Sequence, residues 1–221
     1  MSVKYIVAID GPAGAGKSTI ARMLAKKLRY VYIDSGAMYR AVTWKAMKSG
    51  YDLNDPVKLV SLARNTMLEF KKYKNKITLF ADGKAVGREI RTTEVTANIC
   101  HLADNGGVRK VMVKRQQQTA QGGGIVMEGR DIGTKVFPRA EFKFFLDASV
   151  DERARRRYRE YQERGVKVNL SDIRRDIMTR DRKDKTRAVS PLRQAADAVV
   201  IDSSRLTPRQ VVDAMLKVIR K

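Results

Sequence analysis

Gly11-Pro12-Ala13-Gly14-Ala15-Gly16-Lys17-Ser18-Thr19 follows the apolar run Ile6–Ile9 and precedes Ile20, Met23, Leu24 and Leu28, which recur at helical spacing. The stretch satisfies G-x-x-x-x-G-K-[ST] at each defined position, between a strand and a helix, where its mechanism requires it. Glycines let the backbone curl so that successive N–H groups face inward. A helix beginning near Lys17 turns its positive dipole end to the same space. Such a loop takes the phosphates of a nucleoside triphosphate, here ATP. Gly11 to Thr19 are expected to contact it, with Lys17 bridging the β- and γ-phosphates as a catalytic charge and Ser18 placing its hydroxyl on Mg²⁺. The loop names a phosphoryl donor and leaves the acceptor open.

Outward from this loop, short apolar strands alternate with amphipathic helices. Tyr30–Ile33, Ile125–Met127, Phe142–Leu146 and Val199–Ile201 join Ile6–Ile9 as five strand candidates. A helix through Met38, Val42 and Met47 stops near Gly50, and Thr93–Leu102 and Val108–Gln118 also read as helices. Ser149 with Glu152, and Thr207-Pro208 with Gln210, have the spacing of capping boxes, which are structural signals. The pattern predicts an α/β fold: a three-layer α/β/α P-loop core on a five-stranded parallel sheet. One stretch breaks the alternation. Between Leu68 and Ile90, period-two segments are split at Asn75-Lys76 and Asp82-Gly83, and Asp-Gly favours a hairpin turn, so a small antiparallel β insert is expected there.

Bulk properties set the outer limits. The 221 residues suit a single domain spanning 1–221, and a hydrophobic share of 43% is enough to bury a core. The single cysteine, Cys100, excludes an internal disulfide framework and a multi-cysteine metal site. The opening MSVKYIVAID lacks a signal-peptide pattern, and no apolar run approaches the ~20 residues of a membrane span. A cytoplasmic protein with no membrane partner is expected. Basic residues outnumber acidic ones by 46 to 24, a formal net charge of +22. The excess is chain-wide: 26 against 13 over 1–150, 14 against 8 over 151–187, and 6 against 3 over 188–221. No block concentrates the charge, which disfavours nucleic acid as the principal partner and suits small anionic ligands.

The acceptor should lie at the carboxyl ends of the strands, where open parallel sheets bind ligands. Asp34-Ser35-Gly36-Ala37-Met38-Tyr39-Arg40 follows the second strand, and Glu128-Gly129-Arg130-Asp131 follows the strand through Met127. An arginine and a carboxylate at such a place suit a phosphate and a polar base or sugar. Asp10 and Asp34, ending strands near the loop, have two open roles: ordering waters on Mg²⁺ or capping local backbone.

GPAGAGKST, IDSGAMYR, EIRT, Val108-Arg109, EGRDIGT, FLDAS, RDRKDKTRAVSPL and AADAVVIDSS occur in that order over nearly the whole chain. In this combination the sequence resembles the bacterial cytidylate kinases. The resemblance implies transfer of the γ-phosphoryl group of ATP to CMP or dCMP, with Mg²⁺; a monomer is expected. It implies that Ser35, Arg40 and Arg130 hold the acceptor phosphate, with Arg91 of EIRT as a further contact. Arg109, Asp131 and Arg187 would read the cytosine edge, and Arg180 and Asp184 would lie near the sugar. Arginine forks match phosphate and base acceptors, and a carboxylate accepts from the exocyclic amine of cytosine, where uracil presents an acceptor instead.

The family also carries an enlarged monophosphate-binding insert, placed here at 55–100, and a lid over ATP, placed at 152–170. Arg153, Arg155, Arg156 and Arg157 lie on the capped helix before Gly165. They cannot all face one ligand, since a helix turns ~100° per residue. Arg153 and Arg157, four apart on one face, are the expected catalytic pair, and Arg155 and Arg156 are expected to be solvated. Cys100 departs from the family, which usually has a serine in the helix after EIRT; a thiol is a weak donor, so a base contact and the rejection of UMP are in question there. His101, Trp44 and the methionines read as packing or surface residues. The competing functions are a P-loop kinase of another small acceptor, UMP or a metabolite, and a basic nucleic-acid-binding NTPase.

Overall fold

The structure is a computed structural model and describes residues 4–74, 76–163 and 165–220. Its strands are β1 (Ile6–Asp10), β2 (Val31–Asp34), β3 (Leu68–Tyr73), β4 (Lys76–Ala81), β5 (Lys84–Ala85), β6 (Ile125–Gly129), β7 (Phe142–Asp147) and β8 (Val199–Asp202). Its helices are α1 (Lys17–Leu28), α2 (Ser35–Lys48), α3 (Pro56–Asn65), α4 (Thr93–Ala103), α5 (Gly106–Thr119), α6 (Val150–Glu163), α7 (Leu170–Thr186) and α8 (Pro208–Ile219). The fold is α/β, as expected. Five parallel strands run in the order β2-β6-β1-β7-β8, and β3-β4-β5 form a small antiparallel sheet.

The chain divides into two compact units, Met1–Tyr30 with Gly124–Lys221, and Val31–Gly123. In the first, β1 pairs with β6 from Ile6↔Ile125 to Asp10↔Gly129 and with β7 from Val7↔Phe142 to Asp10↔Phe145. A strand flanked on both sides and covered on both faces must be apolar throughout. Val7, Ala8 and Ile9 are fully buried accordingly. β7 pairs in turn with β8, Leu146 opposite Ile201. The registers bring Asp10, Gly129, Asp147 and Asp202 to the carboxyl ends of their strands, the side where the phosphate loop leaves β1. The cap of α8 is a complete capping box between Thr207 and Gln210. At α6 the box is half made. The Ser149 hydroxyl accepts the Glu152 N–H, while the Glu152 carboxylate turns along the helix to Arg155 and Arg156.

The second unit buries Met38, Val42, Leu59, Leu62, Leu79, Ile90, Leu102 and Met112 in one cluster. Its meander has the expected turn. Asp82 and Gly83 both have positive φ, 49° and 77°, as a two-residue type I′ hairpin requires. The Asp82 carboxylate also accepts the Met67 N–H and pairs with Lys45. The other expected turn includes Asn75, which lies outside the described residues. Helix α3 is an addition to the sequence reading. Its signal was present: Asp55 accepts the N–H groups of Val57 and Lys58, with Pro56 in the first helical turn. Among the described residues no helix is long and apolar enough to cross a membrane.

Candidate active site

In the first unit the phosphate loop is shaped by two constraints. Gly11 has φ +146°, and a Cβ there would stand 2.0 Å from the Leu146 carbonyl oxygen, inside atomic contact. Only glycine lets the loop leave β1 against the backbone of β7. Lys17, buried in the first turn of α1, donates from Nζ to the Pro12 carbonyl at 2.7 Å. Burial, with the guanidinium of Arg130, pushes its ammonium down to about 7 from an ordinary 10.5; Glu128 works the other way. Ser18 is half-buried and Thr19 exposed.

Both oxygens of Asp10 are engaged by backbone N–H groups. One oxygen accepts the Ile132 N–H at 2.8 Å and the other the Gly133 N–H at 2.7 Å. Burial raises its carboxyl to about 6 against these two hydrogen bonds. It therefore caps local backbone, one of the two roles open to it. The turn it pins, Ile132–Val136, is one turn of π-helix, and it fixes the end of the segment carrying Arg130 and Asp131.

Arg130 donates from Nε to Asp184 at 2.9 Å, and Arg187 stands 4.0 Å from the other oxygen of that carboxylate. Burial pushes the Asp184 carboxyl up, but Arg130, Arg180 and Arg187 outweigh it and hold it below the ordinary range. Lys17, Arg130, Asp131, Arg180, Asp184 and Arg187 thus share one electrostatic neighbourhood in this unit.

The α6 arginines divide differently from expectation. Arg155 is exposed, as expected. Arg156 is half-buried instead: it donates from Nε to Glu152, from Nη1 to the Ala15 carbonyl and the Ser203 hydroxyl, and from Nη2 to the Ser203 carbonyl. Helix periodicity could not show this, because its partners are 47 and 141 positions away. Arg153 is buried and spends its guanidinium on the Asp181 carboxylate at 2.8 Å, the Ala148 carbonyl and the Ala13 carbonyl. It meets the phosphate loop through a backbone oxygen. Arg157 is half-buried. Asp181, buried on α7 and second in the RDRKDKTRAVSPL stretch, carried no local signal that it would pair with Arg153.

In the second unit Asp34 ends β2 and caps α2, accepting the Ala37 N–H at 2.9 Å. Its other oxygen receives Arg40 at 2.8 Å and Arg91 at 3.1 Å. Burial pushes this carboxyl up, yet the two arginines and the Ala37 hydrogen bond win and keep it ionised. A Cβ on Gly36 would stand 3.0 Å from Arg40 Nη1, so glycine leaves room for the Asp34–Arg40 pair. Here too the carboxylate caps backbone, and in addition it gathers two of the expected phosphate-binding arginines. Ser35 is buried at the start of α2. Arg109 is buried on α5, donates to the Ala103 carbonyl at 3.0 Å and lies 5.6 Å from the centre of the Tyr39 ring. Cys100 points its thiol at the Ala97 carbonyl of its own helix turn.

The sequence model of the family described as cytidylate kinase matches residues 7–221. The chain belongs to the cytidylate kinase family. It is 47% identical over 221 residues to a cytidylate kinase of Bacillus subtilis strain 168, covering all of this chain and 99% of that one. It is 50% identical over 221 residues to a cytidylate kinase of Desulforamulus reducens, with the same coverages of 100% and 99%. As a cytidylate kinase family member it is a nucleoside monophosphate kinase, a P-loop transferase. Among solved structures, a shikimate kinase from Bacteroides thetaiotaomicron is similar over 99% of this chain and 100% of that one, with a TM-score of 0.51 at 13% identity, a likeness of fold alone. A protein from Eubacterium ventriosum is similar over 99% of both chains, with a TM-score of 0.57 at 10% identity.

Proposed function

We propose that the chain transfers the γ-phosphoryl group of ATP to CMP and dCMP, giving ADP with CDP or dCDP. Membership of the cytidylate kinase family over residues 7–221 carries the reading. An oxygen of the acceptor phosphate attacks the γ-phosphorus, the bond from that phosphorus to the β,γ-bridging oxygen breaks, and the electron pair leaves with ADP. The acceptor phosphate is already an anion, so no general base is needed; catalysis rests on alignment and charge neutralisation.

Lys17 is suited to the neutralising role. A buried ammonium depressed by Arg130 gains most from the arrival of a polyphosphate. The backbone of Gly11, Pro12, Ala13, Gly14, Ala15, Gly16, Lys17, Ser18 and Thr19 takes the donor phosphates. Mg²⁺ fits as a cation carried by those phosphates, with the Ser18 hydroxyl as its protein ligand: among the described residues no cluster of three His, Cys, Asp or Glu side chains would hold it alone. When bound it neutralises charge on the transferring group. Ser35, Arg40, Arg91 and Arg130 hold the acceptor phosphate. Arg109, Asp131 and Arg187 read cytosine, and Arg180 and Asp184 serve the sugar. Arg157 supplies charge from the lid at 152–170, and Arg153 supports the loop from behind Ala13. The monophosphate insert at 55–100 belongs to the acceptor side, and the protein acts as a cytoplasmic monomer.

A coupled assay of ADP release tests this over CMP, dCMP, UMP, AMP and shikimate. CMP and dCMP should give turnover at least tenfold above the others. Stimulation by an oligonucleotide in place of CMP would overturn the reading. A second outcome has its own observation. The Cys100 thiol is turned to the Ala97 carbonyl, so UMP should be tolerated better by this chain than by its Cys100→Ser variant.

A further inference from the structure

A trans peptide is planar and carries its C=O and N–H on opposite sides. Fixing the carbonyl of one residue outward therefore turns the N–H of the next residue inward. Two carbonyls of the phosphate loop are fixed in this way. Ala13 O accepts from Arg153, and Ala15 O accepts from both Arg156 Nη1 at 3.3 Å and Ser203 Oγ at 3.2 Å. The N–H groups set by these peptides belong to Gly14 and Gly16, whose φ angles are +80° and +91°. Without a Cβ, these are the positions at which a peptide plane turns over most cheaply. The sequence that makes the loop able to curl also makes it able to flip.

We propose that Arg156 and Ser203 are positioning residues for phosphoryl transfer: together they latch the Ala15–Gly16 peptide so that the Gly16 N–H faces the donor phosphates. This rests on reading the loop as the ATP site. The arrangement is built rather than incidental. Ser203 is buried just past the end of β8, and its own N–H and hydroxyl both reach the Asp147 carbonyl at the end of β7, at 2.8 and 3.0 Å. A hydroxyl has one hydrogen, shared here between Asp147 O and Ala15 O, while its lone pair receives Arg156 Nη1 at 3.0 Å. Arg156 Nη2 closes a second hydrogen bond to Ser203 O at 2.6 Å, and Glu152 balances the charge from one turn earlier at 3.0 Å. With Nε, Nη1 and Nη2 all committed to protein oxygens, Arg156 serves the phosphates through the loop. The strand ends of β7 and β8 thereby become the anchor of the donor site, and the preorganised amide costs no reorientation when phosphate arrives.

The test uses the full chain and the variants Arg156→Met, which keeps the apolar stem, Ser203→Ala, and the double variant. Calorimetry of Mg-ATP binding without acceptor should show affinity lower by about threefold for Ser203→Ala and about tenfold for Arg156→Met. The double variant should be no more than about twofold worse than Arg156→Met, since both side chains hold one oxygen. The KM for CMP should stay within twofold of the parent value, and Arg156→Lys should recover part of the loss. The Gly16 amide resonance should move in each variant and move less than in the parent on adding inorganic tripolyphosphate. Unchanged ATP affinity in both single variants overturns the proposal, as does a parallel loss of ATP and CMP affinity with an unmoved Gly16 resonance. A parent protein that binds ATP but does not turn over CMP would sink the acceptor reading and leave the latch measurable.

Discussion

Lys17 should take up a proton when nucleotide binds, and the size of the effect follows from its surroundings. Burial and Arg130 place its ammonium at about 7 in the empty loop. A polyphosphate in contact restores the charged form. At pH 8 only about one tenth of a group with that pKa is charged, so binding should draw in roughly 0.9 proton, against about half a proton at pH 7. Affinity for Mg-ATP should then fall about fivefold between pH 7 and pH 8. The sign for folding is the reverse. A lysine depressed in the native state destabilises it where the ammonium is charged, so the empty protein gains stability as pH rises from 7 toward 10. Calorimetric titrations in two buffers of different ionisation enthalpy give the proton count directly. Lys17→Met supplies the background, since protons taken up by the nucleotide remain in that variant. Lys17→Arg, charged throughout, should bind with no such slope. Equal proton uptake by the parent and Lys17→Met at pH 8 would refute the assignment of this titration to Lys17.

Asp131→Ala should lose discrimination between CMP and UMP by tenfold or more while Mg-ATP affinity stays within twofold; unchanged CMP kinetics would remove the base-reading role. Gly11→Ala should abolish ATP binding, because its Cβ would meet the Leu146 carbonyl at 2.0 Å, and calorimetry that finds affinity within tenfold of the parent would contradict this. Asp34→Asn keeps an N-cap of α2 but strips the counter-charge from Arg40 and Arg91. Chemical denaturation should register a loss of about 2 kcal/mol, below the usual cost of breaking a fully buried pair because Arg91 is half exposed. In the same variant the KM for CMP should rise with that for ATP unmoved, and an unmoved KM for both would separate Asp34 from the acceptor site.

The sequence carried most of the fold because its signals were local. The loop from Gly11 to Thr19, the five apolar runs and the Asp82-Gly83 turn each combine a short pattern with a backbone geometry that few other residues allow. Pro56–Asn65 shows the same kind of signal passed over: Asp55-Pro56 marks a helix start as plainly as Thr207-Pro208 does. What sequence could not carry were pairings set by tertiary register. The spacing of Arg153 and Arg157 on one helix face says nothing of which strand ends stand opposite. Arg156, off that face, turned out to hold Ala15 and Ser203, and Arg153 found Asp181 on another helix. The two candidate Mg²⁺-ordering aspartates illustrate the same limit. Their position at strand ends was legible, but their commitment to Ile132, Gly133, Ala37, Arg40 and Arg91 required the folded chain.

Asp10 is the last residue of β1, immediately before Gly11, and its two oxygens grip the turn that follows Arg130 and Asp131. One side chain is thus the joint between the strand that launches the donor loop and the segment proposed to recognise the acceptor. A joint without slack transmits displacement: a shift at one end of it reaches the other without any intervening element having to change shape. Burial pushes its carboxyl up to about 6, so mild acid weakens the hold of β1 on that turn. Because the grip is made through the backbone N–H groups of Ile132 and Gly133, a side-chain change at Asp131 leaves it in place, whereas changes at Asp10 or in the π-turn reach the donor loop and the acceptor segment together.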